Sequence, residues 1–358
     1  MVGQTGGAVM QSEDEIRATF TKQAEWCEVL GSPLTARLVA GLGERLDHST
    51  ATGRRVLRWN GQADALKDAV ALRLAGALNA FVMRGRVPEL AACYPPNPLP
   101  EGDVLVAAAL AAIQEVDEEI CSWLDFPPQT NEVARSGVLY PGMCFIAQAT
   151  GLPLALYEVG ASGGLNLFAD RFAYQLGTAQ LGDAQSGVIL SPEWSGAPAP
   201  VVEPVIVRRK GCDRSPLDVS KPEHRERLRA YIWPDQPLRV ERINAALEIA
   251  KSDPPEMAAM DAADWVEAEI DEATETGVVR VLFHSIAYQY FPDEVKAQIR
   301  ARMEAAGRLA TVDAPLAWLA FEQDSDAGPR LTLRLWPGGE ERELAKAGAH
   351  VHQVEWMA

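Results

Sequence analysis

The chain has 358 residues, of which 47% are apolar and 23% charged, enough to build a sizeable core in one large or two modest domains. A formal net charge of −17, with no basic run anywhere, excludes nucleic acid and anionic membrane surfaces as favoured partners. Five cysteines (Cys27, Cys93, Cys121, Cys144, Cys212) form no Cys-x-x-Cys pair, which excludes a cysteine zinc site or disulfide framework and fits free thiols in a reducing compartment.

The opening stretch MVGQTGGAVMQSEDE lacks a charged region followed by a long apolar one, so no secretory signal is expected there. No segment reaches the roughly 18 apolar residues that span a bilayer. A cytoplasmic location is expected. Ser12 and Glu15 have the spacing of a capping box, and Ile16, Phe20 and Ala24 then share one helical face. Asp64–Met83 and Asp103–Leu124 are two further helical runs, separated by the breaker Tyr94-Pro95-Pro96-Asn97-Pro98. Thr130 or Asn131 is placed to cap a helix continuing through Arg135. Nothing before Thr150 reads as a buried strand.

At Leu154 the pattern changes. Leu154–Val159 is a continuous apolar run broken only by Glu158, as in a strand covered on both faces. Strands are further expected at Val201–Val207, Val278–Phe283, Leu309–Val312 and Leu316–Phe321, with helices at Pro222–Tyr231, Pro237–Lys251 and Asp293–Ala306 between them. Leu331, Leu333 and Leu335 alternate with polar residues before the turn Pro337-Gly338-Gly339, and Val351–Trp356 reads as a last strand. Both suggest antiparallel strands at the sheet's edge.

The loop after the first strand, Gly160-Ala161-Ser162-Gly163-Gly164, fits two patterns. Gly160, Ser162 and Gly164 spell the G-x-S-x-G of a hydrolase nucleophile elbow, for which Asp313 and His350 or His352 follow in the required order. With Glu158 in front, the same residues resemble the acid-x-Gly-x-Gly-x-Gly loop by which Rossmann-like methyltransferases hold S-adenosylmethionine. About 150 helical residues precede the loop, with no His-Gly-Gly-type segment to complete an oxyanion hole, and Glu158 has no role in an elbow. The cradle is therefore the favoured reading. Its glycines allow close backbone approach, and a helix expected from Leu165 would direct free N–H groups at a ligand.

The remaining strand ends supply the other candidates. Asp213 ends the second strand, where an acid meets ribose hydroxyls in dinucleotide folds. Asp261 and Ala262 resemble the acid–small pair that meets adenine. Phe283-His284-Ser285-Ile286-Ala287-Tyr288-Gln289-Tyr290 closes a later strand, so His284, Ser285, Tyr288 and Tyr290 are candidates to line an acceptor pocket. A helix cap for Asp261 and a buried hydrogen-bonded role for His284 are the plain alternatives. A nicotinamide-dependent oxidoreductase is disfavoured because the loop lacks G-x-G-x-x-G spacing.

Several segments together resemble a bacterial family known as a domain of unknown function (family 2332) over nearly the full chain. They are QTNEVARS (129–136), YEVGASGGLNLFADRFAY (157–174), RKGCDRSPLDV (209–219), YIWPDQPLRVERINAA (231–246), FHSIAYQYF (283–291) and the tryptophan-ended C-terminus. Gly163 stands where the family often has alanine, and His350 and His352 alone represent a His-Gly pair near the end. The resemblance implies a helical N-terminal region followed by a sheet like that of class I methyltransferases. It also implies a preceding segment, Gln129, Asn131, Glu132 and Arg135, that closes over the cofactor, with Arg135 meeting a ligand carboxylate.

The expected fold is thus α/β, an all-helical domain over 1–128 and a Rossmann-like, methyltransferase-type domain with antiparallel C-terminal strands over 129–358. The expected function is S-adenosylmethionine binding and methyl transfer to a small molecule. Cofactor-binding candidates are Gln129, Asn131, Arg135, Glu158, Gly160, Ser162, Gly164, Leu165, Asn166, Asp213, Asp261 and Ala262. His284 or Tyr288 would orient or deprotonate the acceptor. A serine hydrolase or a non-catalytic ligand-binding protein is the alternative.

Overall fold

A computed structural model describes residues 11–270, 275–323 and 328–358. The N-terminal stretch read above as lacking a signal lies, up to Met10, outside the described residues. The chain divides into two compact units. The first runs to Thr130 and takes in Glu226–Val240; the second comprises Asn131–Arg225 and Glu241–Ala358.

The first unit is helical: α1 (Glu13–Val29), α2 (Pro33–Arg45), α3 (Ala51–Leu57), α4 (Val70–Met83), α5 (Pro88–Ala91), α6 (Val104–Glu115) and α7 (Asp117–Trp123). The capping box forms, Ser12 accepting from the Glu15 N–H and Glu15 from the Ser12 N–H. Ile16, Phe20 and Ala24 enter a core with Leu38, Leu42, Leu74 and Phe81. Two expected helices are shorter than their apolar patterns. Residues 64–69 form turns because the Asp68 carboxylate is held by the Trp59 indole (2.8 Å) and the Gln62 N–H (2.9 Å). The 103–124 run breaks at Val116, where Asp117 instead accepts the Ala51 and Thr52 N–H groups at the start of α3.

In the second unit a short 3-10 turn (Val133–Arg135) leads into α8 (Ser136–Thr150) and the fully buried β1 (Leu154–Val159). A three-stranded sheet of β2 (Ala173–Leu176), β3 (Ala179–Gly182) and β4 (Ile189–Leu190) follows, then β5 (Glu193–Gly196) and β6 (Ile206–Asp213). The chain crosses between units within α9 (Pro222–Ala230) and returns within α10 (Pro237–Ser252). It continues through β7 (Glu256–Ala259), α11 (Ala262–Glu269), β8 (Val279–Ser285), α12 (Asp293–Leu309), β9 (Leu316–Gln323), β10 (Pro329–Trp336), β11 (Glu341–Ala347) and β12 (Gln353–Trp356).

The main sheet has nine strands in the order β5-β12-β11-β10-β9-β8-β1-β6-β7. The run β7-β6-β1-β8-β9 is parallel throughout, β9 to β12 alternate in direction, and β5 adds to β12 in parallel. Each side of the parallel part is covered, as its apolar strands require. Tyr157, Val159, Leu282 and Trp318 pack with Trp265 of α11 and Ile299 and Met303 of α12, while α8 lies against β9 and β10.

Several expectations shift. The second parallel strand is β6, since 201–205 is irregular; Leu309 ends α12, and only an isolated bridge between Thr311 and Ala314 stands where a strand over 309–312 is expected. The antiparallel C-terminal strands are present, yet β5 rather than β12 forms the outer edge. No helix among the described residues is long and apolar enough to cross a membrane. All five cysteines are free, and burial pushes the Cys27 thiol up to about 11.

Candidate functional site

The chain winds outward from β1 to β6 and β7 on one side and to β8 and β9 on the other, so the strand order reverses at β1. In open α/β sheets ligands bind beyond the carboxyl ends of the strands at such a reversal. Three acids end strands here: Glu158 on β1, Asp213 on β6 and Glu322 on β9.

Glu158 is 2% exposed. Its Oε2 is buried and has no hydrogen-bond partner among the described residues. Burial raises its pKa well above the ordinary 4.5; Arg135 opposes the rise, Asp213 adds to it, and a hydrogen bond with Asn166 opposes it. Asn166, also buried, accepts from the Ser136 hydroxyl at 2.8 Å. In the sequence Ser136 closes the segment QTNEVARS, and nothing local marks it as the partner of Asn166.

The loop beyond β1 is left-handed at Gly160 (φ 67°), Ser162 (φ 55°) and Gly164 (φ 70°). Gly160 also needs the absence of a side chain, because a Cβ there would stand 2.6 Å from that of Ala287. Much of the loop's hydrogen bonding is internal to the protein. Asp213 accepts the Ser162 N–H (3.0 Å) and the Ser215 N–H (2.9 Å), and Asn131 accepts the Leu165 N–H (2.9 Å). The helix expected from Leu165 is a 3-10 segment, Leu165–Arg171, kinked at Phe168. Its first N–H is taken by Asn131 and is not available to a ligand there. Asn131 does not cap the turn through Arg135 either; that cap is Glu132, which accepts the Ala134 N–H.

Arg135 ties the neighbouring strand end to the last loop, its Nη1 donating to the Ser285 carbonyl (2.8 Å) and its Nε to that of Ala349 (3.4 Å). Next to these carbonyls stand Ile286 (φ 46°) and Val351 (φ 50°), β-branched residues in the left-handed region. Such a conformation costs of order 1–3 kcal/mol per residue and concentrates at functional sites.

His284 is 1% exposed. Trp318 Nε1–H donates to its Nε2 (3.0 Å), which places the ring proton on Nδ1, facing Glu322 Oε1 at 2.7 Å. Both nitrogens are engaged, leaving no lone pair for an acceptor's proton. Tyr288 stacks on His284 with centroids 4.7 Å apart and donates its hydroxyl to the Lys296 carbonyl (2.8 Å). Burial raises the Tyr288 pKa. Glu322 accepts the N–H groups of Ala287, Tyr288 and Gln289 as well. Burial would raise its pKa, but the His284 bond and the Ala287 and Tyr288 N–H groups hold it below the ordinary 4.5. The signal that singles out Glu158, an acid at a strand's carboxyl end, also marks Glu322, one residue past the expected Leu316–Phe321 strand.

Asp261 caps α11, accepting the Ala263 N–H at 2.9 Å, and Ala262 is buried in the core beside it. Gln129 belongs to the first unit. Asp313 lies before β9, its carbonyl accepting the Gly277 N–H, at the opposite end of the sheet from Ser285 and Phe321. At about 3.3 Å per residue, Asp313 is roughly 20 Å from the strand ends that carry Ser162, so it is no triad partner for that serine. His350 and His352 meet edge to face, 6.1 Å apart. Among the described residues no cluster of His, Cys, Asp and Glu has a metal-ligating arrangement.

No curated protein and no solved structure matches the chain. A family model described as an uncharacterized protein conserved in bacteria (DUF2332) matches residues 17–356, and the chain belongs to that family.

Proposed function

We propose that the second unit binds S-adenosylmethionine and that the protein is a methyltransferase for a small-molecule acceptor. The observation that carries this reading is the unpartnered, buried Glu158 oxygen beside the left-handed Gly160–Gly164 loop, with Asp213 ending the adjacent strand. In order of appearance, the parallel strands run third-second-first-fourth-fifth, the arrangement of nucleotide-binding doubly wound sheets. A buried acceptor without a donor fits a ligand that brings one, and the cofactor's methionine end carries an ammonium.

In this reading Glu158, held by Asn166, gives up its proton on binding and takes the ammonium, and Arg135 draws the carboxylate. Gly160, Ser162, Gly164 and Leu165 form the loop, and Asn131 fixes it through Leu165. Each Asp213 oxygen has a second lone pair beyond its backbone bond, sufficient for a ribose hydroxyl. Asp261 and Ala262 border the adenine. When bound, the cofactor supplies an activated methyl group, so the protein's task is alignment of acceptor and methyl carbon. His284 acts as a positioning residue through Glu322, and the 285–290 segment faces the acceptor.

Calorimetric titration with S-adenosylmethionine and S-adenosylhomocysteine, with adenosine as control, tests the reading. Saturable binding lost in Gly160→Val and weakened at least tenfold in the near-isosteric Glu158→Gln is expected. Failure of the wild-type protein to bind at millimolar ligand overturns it. One observation favours a second reading: Ser162 is a non-glycine residue at positive φ, as an elbow serine is. Labelling of Ser162 by a fluorophosphonate would establish it.

A further inference from the structure

The first unit presents an open groove of about 570 Å³ between α1 and α2. Its lining is largely small and apolar: Ala24, Val29, Pro33, Ala36 and Ala40. Val29, the last residue of α1, is 84% exposed, and Trp26 and Leu30 beside it are 40% and 42% exposed. Gln236 donates to the Leu30 carbonyl, and Leu238, two residues further on, is 70% exposed. An exposed apolar groove with a charged rim is the signature of an association site.

The rim charges are divided by helix. Glu25 and Glu28 lie on the α1 wall, and Arg37 lies on the α2 wall. Arg37 is anchored by donating to the Pro100 carbonyl and has no carboxylate partner among the described residues. A surface with acid on one wall and base on the other is self-complementary under a two-fold axis, which sets each copy's Arg37 against its partner's Glu25 and Glu28. The protruding Val29 of each copy then enters the small-residue floor of the other. Copies of a chain of net charge −17 repel one another, so association must set cations against acids, and this groove does so twice.

We propose that the α1–α2 groove is a homodimer interface, occupied by the same groove of a second copy. This is independent of the chemistry of the second unit. Sedimentation equilibrium of the full chain tests it. The wild type is expected to dimerise with a Kd on the order of 10 μM, the weak end for an interface of this kind. Arg37→Glu and the double variant Glu25→Lys/Glu28→Lys should each weaken dimerisation about 100-fold by setting like charges opposite one another. The triple variant, which exchanges the signs, should restore it to within about threefold, an outcome that loss of the Arg37–Pro100 bond alone would not give. Val29→Asp, which leaves the charge pairs in place, should weaken it at least tenfold. A wild type that stays monomeric to about 200 μM overturns the proposal, since its Kd would then be millimolar. So does a dimer indifferent to these variants, or one that the triple variant fails to restore.

Discussion

Glu158 concentrates the tension of the second unit in one side chain. A carboxyl at 2% exposure, with one oxygen unpartnered, is held above its ordinary 4.5 because burial penalises the charged form. The sign of the consequence follows from linkage. Above pH 4.5 the unfolded chain gives up this proton while the folded one keeps it, so Glu158 costs stability as pH rises, until the folded group also ionises. Gln keeps the shape and removes the ionisation. Glu158→Gln is therefore expected to melt with the wild type near pH 4 and progressively above it toward pH 8. Melting curves across that range that stay parallel would sink the assignment of a destabilised carboxyl. The residue itself was legible in the sequence, as an acid interrupting an apolar strand; its missing partner was not, because Asn166, Arg135 and Asp213 meet it only through the fold.

At the scale of elements, legibility followed how far each segment's state depends on its own residues. Leu154–Val159 is buried on both faces and forms the strand its apolar run requires, and Ser12 with Glu15 caps α1 from within four residues. By contrast β5 exists because β12, about 160 residues later, pairs with it, and its sequence Glu-Trp-Ser-Gly carries no strand periodicity. The 287–289 turn is a similar case. Its three N–H groups converge on Glu322, a residue of another strand, and Ala287 in turn abuts Gly160. Glu322→Ala is expected to cost about 2–4 kcal/mol, since it orphans several donors and the His284 ring together. Because the folded pKa of Glu322 lies below 4.5, its contribution is complete above that pH and is lost as pH falls through the folded value. Urea titrations should accordingly show wild-type stability falling in acid and a flatter profile for Glu322→Gln. Equal slopes would mean that the carboxylate does not hold the turn.

For the whole molecule, the sequence pattern turns from helical to α/β at Leu154, but nothing in it marks the excursion of 226–240 into the first unit. That segment reads as ordinary amphipathic helix and turn, and nothing local says which core it joins. Its ties within the first unit are specific. Asn79 donates to the carbonyls of Ala230 (3.0 Å) and Ile232 (3.1 Å), and the Tyr231 ring lies where a side chain at Gly76 would be. Asp235 accepts from the Ser32 hydroxyl and the Leu34 N–H at the start of α2. A fragment ending at residue 128 thus exposes the apolar surface that Ala230 and Tyr231 cover and leaves Asn79, only 6% exposed, without its acceptors. Several buried groups lost together, each worth about 1–3 kcal/mol, match the whole stability of a domain this size. Residues 1–128 alone should therefore keep helical circular dichroism but melt without a cooperative transition, and a synthetic 222–240 peptide added in excess should restore one. Cooperative melting of the fragment by itself, unchanged by the peptide, would mean that the first unit is complete without the return of the chain.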